Sequence, residues 1–172
     1  MLEGLGAQVT EVRRPEQLDA VDALVIPGGE STTIGKLAQQ YGIVDALRAR
    51  AAAGLPVWGT CAGAIFIARE VAHHPHPLAG LMDIAVERNA FGRQLDSFEV
   101  DLSVPVLGET AFPGVFIRAP RITRTGPGVL VLATLADGAV VAAREGALLA
   151  TSFHPELTGD SRMHRYFLGL LG

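Results

Sequence analysis

The chain has 172 residues, 49% of them hydrophobic and 19% charged, with a formal net charge of −4. This balance excludes a disordered chain and fits one domain with a full apolar core, while the acidic charge speaks against a broad nucleic-acid surface and no apolar run approaches the roughly 20 residues that cross a bilayer. The single cysteine, Cys61, excludes an internal disulfide and a zinc site built on several thiolates, and it points to a reducing, cytoplasmic setting.

Leu24-Val25-Ile26 is a short apolar run that stops at Pro27-Gly28-Gly29, the pattern of a buried strand entering a tight loop. A helix is expected next, capped by Ser31 or Thr32, with Ile34, Leu37 and Ala38 on its inner face and Gly42 at its end. Asp45 to Ala53 is a second helical stretch closed by Gly54. Pro56 to Gly59 reads as another buried strand, and Ala62 to Val71 as the helix after it. Alternating short apolar strands and helices predict a parallel sheet covered on both faces. His73-His74-Pro75-His76-Pro77 invites a metal reading, but its prolines break any helix that would present the imidazoles together, so a solvated loop is expected. Ile84 to Leu102, Gly114 to Ile117, Val129 to Leu135, Ala139 to Ala143 and Ala147 to Ser152 read as strands separated by turns, with Asp137-Gly138 and Glu145-Gly146 as hairpin signals. Ser161 to Leu171 reads as a closing helix. Without repeats or a linker, residues 1–172 are expected to form a single α/β domain.

Gly59-Thr60-Cys61-Ala62-Gly63 falls where a strand meets a helix. This is the G-x-nucleophile-x-G pattern with Cys in place of Ser, in which a sharp turn lifts the side chain out of the sheet and the helix N-terminus favours the thiolate. A cysteine nucleophile needs a base, and the base needs an orienting group. The apolar run Ala147 to Ser152 ends in Phe153-His154-Pro155-Glu156, and a spacing of two puts His154 and Glu156 on one side of an extended backbone, which Pro155 favours at the residue before it. His164 is the rival base, in a helical stretch without an obvious carboxylate partner. Acyl transfer also needs donors for the developing oxyanion. The N–H groups of Gly28 or Gly29, with that of Ala62, are candidates. A plain turn or a phosphate loop is the alternative for this segment, although the Gly-Lys-[Ser/Thr] ending of a Walker loop is missing.

Three segments in this order, PGGES, GTCAG and SFHPE, resemble the class I, triad-type glutamine amidotransferases. Finer matches at Val86-Glu87-Arg88-Asn89-Ala90-Phe91-Gly92-Arg93-Gln94, Ser97-Phe98-Glu99 and Phe116-Ile117-Arg118-Ala119-Pro120 resemble the glutaminase subunits of pyridoxal 5'-phosphate synthases. The resemblance implies a three-layer, flavodoxin-like fold with a mostly parallel central sheet flanked by helices. It implies hydrolysis of L-glutamine to glutamate and ammonia, which passes to a separate synthase subunit in an assembly of twelve copies of each, with no metal or organic cofactor. Cys61 is then the nucleophile, His154 the base and Glu156 its orienter. Gly29, Glu30 and Ser31 fall in the glutamine-binding turn, and Arg88, Ile117 and Arg118 match further substrate contacts. Both arginines suit a carboxylate, which a guanidinium pairs in a planar, bidentate fashion, although a surface salt bridge is the alternative for Arg88. The family also begins with a strand and a Leu-Gln-Gly turn that have no counterpart ahead of Leu2-Glu3-Gly4. The sheet is therefore expected to lack a central strand, at about 1–3 kcal/mol for each ladder group left buried and unpaired.

Overall fold

A computed structural model describes residues 1–72, 76–88 and 97–171. In chain order the elements are β1 (Leu24–Ile26), α1 (Ser31–Gln40), α2 (Ile43–Ala52), β2 (Val57–Thr60), α3 (Ala62–Ile67), β3 (Ala68–Val71), β4 (Met82–Glu87), β5 (Ser97–Leu102), β6 (Phe112–Ile117), β7 (Arg121–Thr125), β8 (Leu130–Thr134), β9 (Val140–Glu145), β10 (Leu148–Thr151) and α4 (Arg162–Leu168). The main sheet runs β1-β2-β10-β9-β7-β4-β3 with β8 alongside β9, and β5 and β6 form a separate antiparallel pair. No helix among the described residues is long and apolar enough to cross a membrane.

The expected α/β architecture holds, but the sheet is mixed. Parallel pairing joins β1 to β2, β2 to β10 and β3 to β4, whereas β10–β9, β8–β9, β7–β9 and β4–β7 are antiparallel. The two hairpin signals account for much of the antiparallel part. Gly138 and Gly146 both take positive φ, at 84° and 58°, where the chain reverses into β9 and into β10. β1 ends the strand order, with Leu24 and Val25 only half-buried. The sheet accordingly ends at β1 among the described residues.

Side chains alternate across the sheet and fill two cores. Val57 and Ala150 face a cluster with Leu47 of α2 and Ile65, Phe66 and Ile67 of α3. Trp58 and Leu149 face the other, with Phe112, Phe116, Phe153 and the α4 residues Met163 and Phe167. These layers fix where β2 and β10 end, and the chemistry-bearing residues follow those ends.

Four details depart from the sequence reading. The helix expected over Ala62 to Val71 stops at Ile67, and Ala68–Val71 is strand β3. There the ladder to β4 wins, joined by the ion pair Arg69–Asp83 to β4 and by Glu70–Arg124, which reaches over β4 to β7. Strand β7 was not expected, because Ile122 is the one fully buried side chain in Arg121–Thr125. The cap of α1 is Glu30, not Ser31 or Thr32: its extended backbone lets the carboxylate accept from both Thr32 N and Thr33 N. Leu37 is 46% exposed, while Ser31, Gly35 and Ala38 form the inner face of α1. Gly35 sets that rotation, since a Cβ there would lie 2.1 Å from the Pro77 carbonyl oxygen. Within the histidine-rich segment His73, His74 and Pro75 lie outside the described residues, as do Asn89 to Gln94 of the specific motif.

Candidate active site

Adjacent parallel strands deliver the central residues. Thr60 of β2 is paired with Thr151 of β10, and the backbone N–H of Cys61 donates to the Thr151 carbonyl at 2.8 Å. A second tie joins the strands on the Trp58 face, where the buried indole N–H donates to Thr151 Oγ1 at 3.1 Å. The chain then turns sharply at Cys61, whose φ of 49° and ψ of −107° place a non-glycine residue in a strained region. The flanking glycines serve closeness. A Cβ on Gly59 would stand 2.4 Å from the Gly63 carbonyl oxygen, and one on Gly63 would stand 1.9 Å from that of Ile26. Strand and helix backbones touch, and this contact presses the elbow into shape.

His154 Nδ1 and Glu156 Oε1 are 2.7 Å apart, as the spacing of two anticipates. The imidazole is pushed up to about 10, chiefly by its hydrogen bond with Cys61 and then by that with Glu156, against the opposing effect of burial. Burial alone would raise the Glu156 carboxyl, but the hydrogen bond with His154 brings it below its ordinary value. Cys61 is 8% exposed, so the thiol is buried, not on the surface. His164, the rival base, is buried in α4 with its ring edge against Trp58 at 5.0 Å. Burial chiefly lowers its pKa, and no hydrogen bond ties it to the thiol.

The other sequence candidates gather around this chain of three. Gly28 lies against the imidazole: a Cβ there would be 2.5 Å from His154 Cε1 and 3.5 Å from Cys61 Cβ. Gly29 has a φ of 145° and leads into α1, where Ser31 is 2% exposed with no partner for its hydroxyl among the described residues. Ala62 opens α3, where backbone N–H groups have no partner within the helix. Arg88 reaches across from the end of β4, donating to Glu30 Oε1 and to Thr32 Oγ1, both at 3.1 Å. The Glu30 carboxyl is held down at about 2, first by the backbone N–H of Thr32 and then by the Thr33 hydroxyl and N–H. The Ile117 carbonyl lies 3.9 Å from Cys61 Sγ, and Arg118 follows it with a φ of 43°.

Two contacts of the site had no sequence signal. The Val115 carbonyl accepts from His154 N–H at 2.8 Å, a backbone contact that no side chain announces. Thr32 reads as a helix cap in the sequence, yet its hydroxyl receives Arg88.

A thiol, an imidazole and a carboxylate near a glycine-rich turn are the groups that acyl transfer uses. Known proteins resemble this chain along its whole length. A relative from Herpetosiphon aurantiacus named pyridoxal 5'-phosphate synthase subunit PdxT is 59% identical over 99% of this chain and 91% of its own length. A protein of the same name from Pelotomaculum thermopropionicum is 58% identical over 98% of this chain and 85% of its own. A crystal structure described as a glutamine amidotransferase superposes with a TM-score of 0.94 at 55% identity, covering 99% of this chain and 90% of that one. A putative GMP synthase subunit from Thermoplasma acidophilum, 20% identical with a TM-score of 0.62, shares the fold. Residues 1–171 match the model of one family, and this chain belongs to it: the SNO glutamine amidotransferase family.

Proposed function

We propose that this protein hydrolyses L-glutamine to L-glutamate and ammonia through Cys61, His154 and Glu156, acting as one domain in the cytoplasm. The ammonia passes to a synthase subunit that makes pyridoxal 5'-phosphate, in a hetero-oligomer of twelve copies of each. The observation that carries the hydrolysis is the placement of His154, bonded to Glu156 at 2.7 Å, beside the Cys61 elbow, with both side chains packed around Gly28. The name shared by the relatives supports the pathway.

In this reaction the Cys61 sulfur, as a thiolate whose proton has passed to His154, attacks the side-chain amide carbon of glutamine. The carbonyl π electrons move onto oxygen, where N–H groups of Gly28 or Gly29 and of Ala62 receive the charge. Collapse expels the nitrogen, which takes the proton carried by His154 and leaves as ammonia. A raised imidazole pKa suits this order, since the ring begins the step protonated. Now neutral, His154 takes a proton from water, and the hydroxide adds to the γ-glutamyl thioester. The second collapse expels the sulfur and releases glutamate. Glu156 holds the ring in position throughout. Gly29, Glu30 and Ser31, with Arg88, Ile117 and Arg118, line the site for the substrate's amino-acid end, and the unpartnered Ser31 hydroxyl is available to a ligand.

The test is glutamate release by this chain, alone and mixed with the synthase subunit, compared with Cys61→Ala. The parent is expected to turn over glutamine and the variant to lose turnover entirely. Residual hydrolysis by the variant overturns the assignment of the nucleophile.

A further inference from the structure

A carboxylate offers about four acceptor positions. At Glu30 all four are taken: Oε1 accepts from Thr32 N and Arg88 at 3.1 Å each, and Oε2 accepts from Thr33 N at 2.7 Å and Thr33 Oγ1 at 2.9 Å. A substrate ammonium group would have to displace one of these donors. Arg88 is different. Its guanidinium has five N–H groups and, among the described residues, spends two, one on Glu30 and one on Thr32. Its side chain is 22% exposed against 53% for Glu30, so the cation lies deeper than the carboxylate that holds it.

Resting on the glutamine site proposed above, we infer that Glu30 and Thr32 are positioning residues: they lock Arg88 in a fixed orientation toward the substrate carboxylate, and the Glu30 side chain itself does not contact substrate. Two anchors on two terminal nitrogens fix both the reach and the roll of a planar fork. A single anchor would leave it free to swing. The lock also joins the start of α1 to the end of β4, two elements with no backbone hydrogen bond between them. Thr32 is the informative member, because its N–H caps α1 while its hydroxyl serves Arg88, and the two roles separate in one substitution.

The experiment measures kcat, KM for glutamine and melting temperature for the full chain with its synthase subunit, as parent, Thr32→Val, Thr32→Ser, Arg88→Ala and the double variant T32V/R88A. Valine keeps the N–H and the shape while removing the hydroxyl. T32V is expected to raise KM about tenfold, as for one lost hydrogen bond to a charged group, with kcat and melting temperature near the parent's. T32S is expected to restore the parent KM. In the R88A background T32V should add nothing further. An unchanged KM in T32V, or effects of T32V and R88A that simply multiply, overturns the inference while parent turnover leaves the proposed function standing. A parent without turnover overturns both.

Discussion

Replacing Gly28 with alanine isolates the geometry of the imidazole from the stability of the fold. The backbone of Gly28 lies outside the left-handed region, so alanine is conformationally acceptable there. Its Cβ, however, would stand 2.5 Å from His154 Cε1. Carbon atoms rest at about 3.5–4.0 Å, so the ring must retreat by about 1 Å. It cannot do so freely, because Glu156 holds Nδ1 at 2.7 Å and the Val115 carbonyl holds the backbone N–H at 2.8 Å. A misplacement of about 1 Å at reacting groups costs about 100-fold in rate, or about 2.7 kcal/mol of activation free energy. The smaller entropy of the unfolded alanine chain, worth about 0.4–1 kcal/mol, offsets part of the steric cost to folding. Gly28→Ala should therefore show kcat about 100-fold down with a melting temperature near the parent's. Gly29→Ala is the natural control, since it has room (the nearest atom is Ile34 Cδ1 at 3.8 Å) but a φ of 145°. There the expectation is lost stability of about 1–3 kcal/mol from backbone strain. Steady-state glutamate release beside thermal melts separates the two. A G28A enzyme within threefold of parent kcat would refute the reasoning, as would a rate loss fully matched by unfolding.

Other expectations concern the fold beneath the site. Gly63→Ala places a Cβ 1.9 Å from the Ile26 carbonyl oxygen, where both neighbours are backbone, so overpacking of ~3 kcal/mol or more is expected. A soluble variant with an unchanged urea midpoint would contradict that. Trp58→Phe strips Thr151 Oγ1 of its buried donor, and a loss of about 1–3 kcal/mol should appear in the same measurement. For pH, the folded-state His154 is raised from 6.5 to about 10. Its contribution to stability is thus complete below pH 6.5 and lost as pH climbs through about 10. The stability gap between parent and His154→Asn should shrink over that interval, and urea midpoints that stay equally separated at pH 6 and pH 10 would contradict it.

The legible parts of the molecule were those where chemistry is carried by side chains at short spacing. Cys61 sat between glycines whose purpose is contact, and His154 and Glu156 sat two apart on an extended segment, so both fragments announced themselves. The hairpins at Asp137-Gly138 and Glu145-Gly146 were legible for the same reason, since positive φ demands glycine locally. What escaped depends on partners distant in sequence. Ala68–Val71 has helix-compatible residues, and only the ladder to β4 makes it a strand. Arg121–Thr125 buries Ile122 alone, too little to mark a period of two. The cap of α1 was misplaced because a glutamate is an unusual cap; two oxygens reaching two successive N–H groups make it work here. The expectation of mostly parallel pairing missed that β9 contacts three strands antiparallel.

The outer hairpin has one more implication. Alternate carbonyls of β6 meet the two reacting residues: that of Val115 receives His154, and that of Ile117 faces Cys61. Residues two apart on a strand are separated by a fixed main-chain step, about 6.6 Å. β6 thus works as a ruler laid beside thiol and imidazole, graduated in peptide units. Because its marks are main-chain oxygens, the measure is set by the strand's backbone, which the buried Phe112 and Phe116 anchor in the core.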